Sequence, residues 1–352
     1  MILHVCTLDK FIEPFYAFVK ENFADCDAKH QFYINGTSDK YETPSGNNVF
    51  LAHSVKRLDR YVWLIKQMNH AEKIILHGLW DRRILELLIL QPWLLKKCYW
   101  VIWGGDLYTR VLSDRTLGWW RFEILRQIAI RRFGHFVTLI KGEYKLAQKW
   151  YGANGKLHEC FTYPSNIYNE IDHEYRCDST TNILLGNSAD PSNNHEEALN
   201  VLIKYSDRNI KVYCPLSYGS VEYSNKIRDI GTNLLGDKFV PITNYMSYDK
   251  YINFLSNVDI AIFAHKRQQA MGNTITLLGM GKKVFMRNDV TQWGFFHDIG
   301  IKVFNCVSID IEPLERNLAI ENSRIIKEYF SKKNLVRQLG LVFDSKQGWR
   351  NS

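Results

Sequence analysis

Two polar loops carry the side chains best suited to chemistry. The first runs from Gly186 to His195, with Asn187, Ser188, Asp190, Ser192, Asn193, Asn194 and His195 set between an apolar run (Ile183-Leu184-Leu185) and a segment of helical spacing. Where a parallel strand ends and a helix begins, unpaired N–H groups face an anion. The second loop follows Asp259–Ala264, which reads as a buried strand, and offers His265, Lys266, Arg267, Gln268 and Gln269 before the turn Met271-Gly272-Asn273. An arginine holds a phosphate through a fork of two bonds, and a helix start adds its dipole. Together the two loops are expected to close over one nucleotide phosphate ester.

Two shorter motifs lie earlier. His77-Gly78 ends the run KIILHG, and Trp103-Gly104-Gly105-Asp106-Leu107-Tyr108 ends YWVIW. Both fall where an α/β sheet places its ligand crevice. Gly104 and Gly105 allow close approach, and Asp106 is able to act as a base or to bind a sugar hydroxyl. The plainer alternatives, a satisfied strand-end histidine and a turn-capping aspartate, stay open. Neither GxxxxGK[ST] nor GxGxxG occurs, which removes the main support for a nucleoside triphosphatase or a dehydrogenase. Asp25-Cys26-Asp27 matches a DxD metal motif, but it precedes a strand instead of ending one, so no metal is required.

The elements that must position these residues alternate. Leu3–Cys6, Gln31–Ile34, Val49–Ala52, Lys73–Leu76 and Tyr99–Trp103 read as strands, with helical spacing over Phe11–Asn22, Arg57–Met68 and Arg82–Leu90. A basic aromatic helix is expected over Leu117–Phe133, and a strand over Gly134–Leu139. The second half repeats the logic, with strands near 183–185, 210–214, 259–263, 283–286 and 302–304 and helices near 195–205, 220–230, 248–256 and 274–280. The polar stretch Tyr163–Thr181 lacks either periodicity and reads as a linker. Leu314–Phe343 reads as helical, with room to cross back to the first half.

A chain of 352 residues exceeds one compact core and predicts two domains. Its 46% hydrophobic and 23% charged content fit a folded protein. Seven cysteines, at 6, 26, 98, 160, 177, 214 and 306, show no CxxC spacing and argue against a zinc cluster or disulfide framework. The N-terminus lacks an export signal, and the best apolar run, residues 84–95, is too short to span a bilayer. A formal charge of +8 suits anionic partners. In GWWRFEILRQIAIRRFGHF, aromatic and aliphatic residues alternate with Arg121, Arg126, Arg131 and Arg132. That segment fits a membrane interface or a core helix with its arginines in water. No nucleic-acid-binding motif is present.

The motifs HG (77–78), WGGDLY (103–108), GNSADPSNNHEEAL (186–199), PLSYG (215–219) and FAHKRQQAMGN (263–273), in this order, resemble glycosyltransferase family 56, the TDP-Fuc4NAc:lipid II transferases of enterobacterial common antigen synthesis. The family pattern has alanine where Gly105 stands and Phe-Ala-Arg where this chain reads His265-Lys266-Arg267. The resemblance implies an α/β GT-B architecture of two facing Rossmann-like domains with a cleft between them. The acceptor would bind a first domain (1–165) and the nucleotide sugar a second (182–352), joined by a linker (166–181). It further implies that Asn187, Ser188, Asp190, Asn193 and His195 face the nucleotide sugar, and that Tyr218 and Gly219 approach the base or ribose. Arg267, Gln268 and Gln269, with Gly272 and Asn273, would hold diphosphate and sugar. His77, Gly104, Gly105 and Asp106 would contact the acceptor. Arg267 would stabilise the leaving diphosphate, and in an inverting reaction Asp106, then His77, would be the candidate base.

By the same resemblance no metal or other cofactor is expected. The expected activity moves 4-acetamido-4,6-dideoxy-D-galactose (Fuc4NAc), or a close relative, from a TDP-sugar to a polyprenyl-diphosphate-linked saccharide. It would work peripherally at the anionic cytoplasmic face of the bacterial inner membrane. The same scaffold with another TDP- or UDP-sugar in O-antigen assembly is the nearest alternative. A non-catalytic nucleotide- or carbohydrate-binding protein is the alternative of another class.

Overall fold

The structure is a computed structural model that describes residues 1–23, 26–170 and 179–344. Its chain divides into two compact units, Met1–Ile167 together with the segment from Lys332, and Tyr168–Ser331. Asp25 of the Asp25–Asp27 match and residues 171–178 of the expected linker lie outside the described residues.

The first unit holds β1 (Ile2–Thr7), β2 (His30–Asn35), β3 (Val49–Leu51), β4 (Lys73–His77), β5 (Cys98–Val101), β6 (His135–Thr138) and β7 (Lys156–Glu159). They form a parallel sheet in the order β3-β2-β1-β4-β5-β6-β7. Its helices are α1 (Ile12–Asn22), α2 (Cys26–Lys29), α3 (Arg57–His70), α4 (Arg82–Leu90), α5 (Gly105–Leu112), α6 (Leu117–Ile130) and α7 (Lys141–Tyr151). The inner strands are apolar on both faces because helices cover both; Leu3, Ile74, Leu76, Trp100 and Phe136 are buried in one core with Leu64, Leu85 and Leu88 from α3 and α4. Since β1 pairs with β2 on one side and β4 on the other, the order reverses between β1 and β4. A ligand crevice forms outside the carboxyl ends of strands at such a reversal.

The second unit holds β8 (Thr181–Leu185), β9 (Ile210–Pro215), β10 (Phe239–Ile242), β11 (Ile260–Phe263), β12 (Lys283–Met286) and β13 (Phe304–Asn305), parallel in the order β10-β9-β8-β11-β12-β13. It carries α8 (His195–Leu202), α9 (Val221–Leu235), α10 (Tyr248–Ser256), α11 (Met271–Gly279), α12 (Thr291–Asp298) and α13 (Arg316–Tyr329). Here the order reverses between β8 and β11, the two strands that lead into the polar loops.

The last described helix, α14 (Lys332–Phe343), packs on the first unit. The Lys73 ammonium donates to the Val342 and Phe343 carbonyls at 2.6 and 2.7 Å, satisfying helix-end acceptors with a cation. Gln338 accepts from the Phe161 N–H at 3.1 Å. Phe343 sets its ring edge against His30, centroids 4.7 Å apart.

Two parallel Rossmann-like sheets agree with the expected fold class. The differences are local. WGGDLY is no open turn: Gly104, at φ 79°, is the N-cap of α5, and Asp106 lies in that helix's first turn. Strands β7 and β10 carried no clear period, since edge strands are short and partly exposed.

Candidate active site

In the second unit the loop after β8 is built around Asn193. Its Oδ1 accepts from the Asn187 backbone N–H at 2.9 Å and from His265 Nε2 at 3.0 Å, while its Nδ2 donates to Ser188 Oγ at 3.1 Å. An amide oxygen only accepts, so His265 carries its proton on Nε2 and presents an unprotonated Nδ1. That nitrogen is buried without a partner, as is His195 Nε2. Burial pulls His265 down to about 3 and His195 to about 4, so both rings are neutral at physiological pH. A Cβ on Gly186 would come within 2.4 Å of His195 Nε2, which is why glycine, at φ 67°, ends the strand.

Gln269 joins the two loops. Its amide donates to Asn187 Oδ1 at 3.0 Å, and its oxygen lies 2.8 Å from Ser192 Oγ. Asn187 Nδ2 donates in turn to the Tyr218 hydroxyl at 2.9 Å. Asp190 turns inward to the loop, accepting from the Ser192 N–H at 2.8 Å. Gly219 serves a backbone crossing: Ala189 N–H donates to Tyr218 O at 2.8 Å, and a Cβ on Gly219 would meet the Ala189 backbone at 2.6 Å. Asn273 Nδ2 donates to the Tyr251 hydroxyl at 2.8 Å.

The helix starts after the two loops differ electrically. Helix α8 carries Glu196 and Glu197 in its first turn, paired with Lys226 and Arg287. Helix α11 has no acidic residue in its first turn and no side-chain cap, and it starts from Ala270 in the left-handed region at φ 54°. Its first N–H groups therefore lack the internal partners that later turns enjoy. Arg267 is half-buried, donates to Gln268 O at 3.1 Å, and makes no ion pair among the described residues. An uncapped helix start beside an unpaired arginine is suited to a diphosphate.

In the first unit, the motif residues organise the loops. Asp106 is fully buried; its Oδ2 accepts from the Leu79 N–H and Trp100 Nε1 at 3.0 and 2.7 Å, and its Oδ1 from the Trp103 and Leu107 N–H groups at 3.0 and 2.9 Å. Burial raises its pKa, opposed by the nearby Arg126 and these donors. His77 is buried in a hydrogen-bonded series. Trp103 Nε1 lies 2.7 Å from the Tyr163 oxygen, Tyr163 2.7 Å from His77 Nδ1, His77 Nε2 3.1 Å from His4 Nδ1, and His4 Nε2 2.9 Å from His30 Nδ1. Since indole only donates, Tyr163 gives its own hydrogen to His77, which fixes His77 and His4 as Nε2–H tautomers. Of the residues expected to contact the acceptor, His77 and Asp106 thus have their polar side-chain atoms engaged inside the protein.

Sequence reasoning passed over Trp80, onto which the glycine motifs converge. A Cβ on Gly78 would lie 2.4 Å from the Trp80 Nε1, and one on Gly105 3.1 Å from its Cη2. The glycines make room for an indole that remains 40% exposed beside the crevice. Tyr163, His4, His30 and Ala270 were also missed. The histidines sit in or beside apolar strands, where a polar residue is the signal; Ala270 has none, since only its φ marks it.

Among solved structures, the chain is similar to the glycosyltransferase WaaG, involved in lipopolysaccharide biosynthesis, with 10% identity, 99% of this chain and 100% of that one covered, and a TM-score of 0.63. It is similar to a glycosyltransferase from Rickettsia africae at 16% identity, with 99% of each chain covered and a TM-score of 0.63. It is also similar to HepE of Anabaena, solved with UDP and glucose, at 10% identity, 98% and 99% coverage and a TM-score of 0.64. These likenesses establish the GT-B fold. The profile of the family described as 4-alpha-L-fucosyltransferase, glycosyl transferase group 56, matches residues 5–321, so the chain belongs to that family and is a glycosyltransferase.

Proposed function

We propose that this glycosyltransferase moves Fuc4NAc, or a close relative, from a TDP-sugar to a polyprenyl-diphosphate-linked saccharide during bacterial surface polysaccharide synthesis. The observation that carries the donor half is the pairing of Arg267 with the uncapped start of α11, beside the loop tied down by Gln269. In this reading Arg267 and the α11 amides take up the charge that develops on the departing diphosphate. Asn187, Ser188, Tyr218, Gln268, Gly272 and Asn273 surround base, ribose and sugar. Asp190, Asn193, His195 and Gly219 hold the loops, and no metal is invoked.

The first unit is proposed to bind the acceptor. Asp106 and His77 act there as positioning residues, because freeing either for proton transfer would break bonds inside the protein. Gly104 and Gly105 start α5, and Gly105 seats Trp80. Asp9, just after β1, keeps its Oδ1 buried without a partner, and burial raises its pKa. In an inverting displacement Asp9 is the carboxylate free to accept the acceptor's proton.

No helix among the described residues is long and apolar enough to cross a membrane. Helix α6 instead exposes Leu117, Trp120 and Ile124, next to exposed Val111 and Leu112. Arg115 and Arg121 are exposed beside them in sequence and Arg131 and Arg132 at the far end of the helix, whereas Arg126 is fully buried. An exposed apolar helix start with exposed arginines along the same segment suits peripheral binding to an anionic cytoplasmic leaflet.

The test is transfer of labelled sugar from a panel of TDP- and UDP-sugars to lipid-linked acceptor extracts, with chelator in half the reactions. Label entering lipid from TDP-Fuc4NAc alone, with or without chelator, supports the reading. Label from another donor moves the specificity, and binding without transfer from any donor favours a non-catalytic protein.

A further inference from the structure

The buried histidines of the first unit form a row across its sheet: His30 opens β2, His4 lies within β1, and His77 closes β4. His30 is at the amino end of its strand, away from the crevice, and His77 is at a carboxyl end. Burial holds His77 at about 3, His30 at about 4 and His4 well below the usual imidazole value, so each neutral ring has one hydrogen to place. The rings are joined nitrogen to nitrogen, at 3.1 Å between His77 and His4 and 2.9 Å between His4 and His30. The hydrogen of one ring therefore decides the tautomer of the next.

A series running the other way would put the hydrogens on Nδ1. The Tyr163 oxygen would then accept from His77 as well as from Trp103 Nε1, and the hydroxyl hydrogen would need a new acceptor. The groups whose charge acts on Tyr163 are Cys6, Asp106 and Asp9. Each oxygen of Asp106 already accepts two hydrogen bonds, and a thiol is a weak acceptor. Asp9 keeps its Oδ1 buried without a partner, and burial raises its pKa against Lys10 and the Lys10 and Phe11 N–H groups. Phe11 and Phe15, which follow Asp9 in the chain, pack on the Tyr163 ring with centroids 5.5 and 5.7 Å away. A hydrogen bond from Tyr163 would stabilise the Asp9 carboxylate and weaken it as a base.

The direction is set at His30. With Nδ1 accepting from His4, its own hydrogen stays on Nε2. Lys29, the Met1 amine and Lys73 oppose a second proton on this ring, and Asp344, exposed just past α14, favours one. We infer that His30 and His4 are positioning residues for the proton-accepting step: through His77 they hold the Tyr163 hydrogen away from Asp9 and leave Asp9 Oδ1 open to the acceptor hydroxyl. This deepens the reading of Asp9 as the base and rests on it. His77 keeps every bond it makes.

The experiment uses the full chain as wild type, His30→Gln, His30→Phe and Asp9→Asn. A glutamine at 30 still accepts from His4 through its amide oxygen, whereas phenylalanine leaves the His4 Nε2–H without an acceptor and favours the reversed series. Nitrogen-15 NMR of the imidazoles reads the tautomers without substrate, and kcat/KM against pH, with TDP-Fuc4NAc and lipid-linked acceptor extract, reads the base. His77 is expected to carry its hydrogen on Nε2 in wild type and His30→Gln, with the same acidic limb in both. In His30→Phe the hydrogen moves to Nδ1, the limb shifts down by about one pH unit, and kcat falls about three- to tenfold while donor KM holds. Should the melting midpoint show that His30→Phe does not fold, His4→Phe removes the His77 Nε2 partner directly and makes the same test. A wild-type His77 with its hydrogen on Nδ1, or a folded phenylalanine variant with unchanged tautomer or unchanged limb, overturns the positioning role. If Asp9→Asn keeps the wild-type limb, the Asp9 reading fails; if Asp9→Asn loses the limb but reversal of His77 does not move it, the positioning role alone fails.

Discussion

The Gln269 side-chain amide donates to Asn187 Oδ1 across 3.0 Å, joining two loops that lie 82 residues apart in sequence. Since Asn187 also reaches Tyr218, one glutamine sets the relative position of three strand-end loops. Gln269→Ala should therefore raise donor KM about tenfold, a loss of about 1 to 2 kcal/mol, with little change in acceptor KM. Unaltered donor KM in steady-state kinetics would remove the tie from the binding argument.

Arg267→Ala should raise the transfer barrier by about 2 to 4 kcal/mol, the range for removing a group that stabilises developing charge. The rate loss should appear mainly in kcat. Wild-type turnover by the purified variant would sink the assignment of Arg267 to the leaving group.

Asp9→Asn replaces the carboxylate that, just after β1, keeps its Oδ1 buried without a partner. Because burial raises the Asp9 pKa, wild-type kcat/KM should fall on acidification at a pH above the ordinary carboxylate range. The variant should lose about two to four orders of magnitude in rate and, with them, that acidic limb. An acidic limb that persists unchanged in Asp9→Asn assigns the proton transfer to another group.

The buried imidazoles predict acid sensitivity. His77 and His265 are lowered to about 3, His30 and His195 to about 4, all chiefly by burial. Depressed values mean the unfolded chain binds more protons between the unfolded value of about 6.5 and the folded values. Stability is thus fully present above about pH 6.5 and falls as pH drops from there toward 4, by up to about 1.4 kcal/mol per pH unit for each histidine. Urea titrations at pH 7, 6 and 5 should give a slope of several protons taken up on unfolding. His77→Gln should reduce that slope by about one proton, and a flat profile would contradict the neutral assignment.

For the membrane surface, Leu117→Glu with Trp120→Glu should abolish sedimentation with anionic vesicles, and Arg131→Glu with Arg132→Glu should weaken it. Turnover of a water-soluble acceptor should be unaffected. Equal pelleting of wild type and both variants would refute the docking surface.

The fold was legible because strand runs such as IAIF and KIILH are buried on both faces and helical spacing separates them. The donor loops could be found for the same reason: strand-end polar residues are visible as composition. The roles inside the motifs were not visible. Asp106 looks like a base in sequence, and only the convergence of Leu79, Trp100, Trp103 and Leu107 on it reveals a node of the loop framework. Gly105 looked like room for a ligand, whereas much of that room belongs to Trp80, which also fills the space over Gly78. Arg126 was read as one of several helix arginines, yet it is fully buried beneath that loop. Sequence spacing reports which side chains share an element, and these contacts join different ones.

The placement of α14 on the first unit bears on synthesis. Domains generally form in order as the chain leaves the ribosome, but here the unit begun first lacks its last helix until residues through Phe343 have emerged. The second unit is complete by Ser331. The nascent chain must hold a first sheet whose seven strands are made but whose last helix is missing, with Lys73 lacking its carbonyl partners, while the whole of the second sheet is being made.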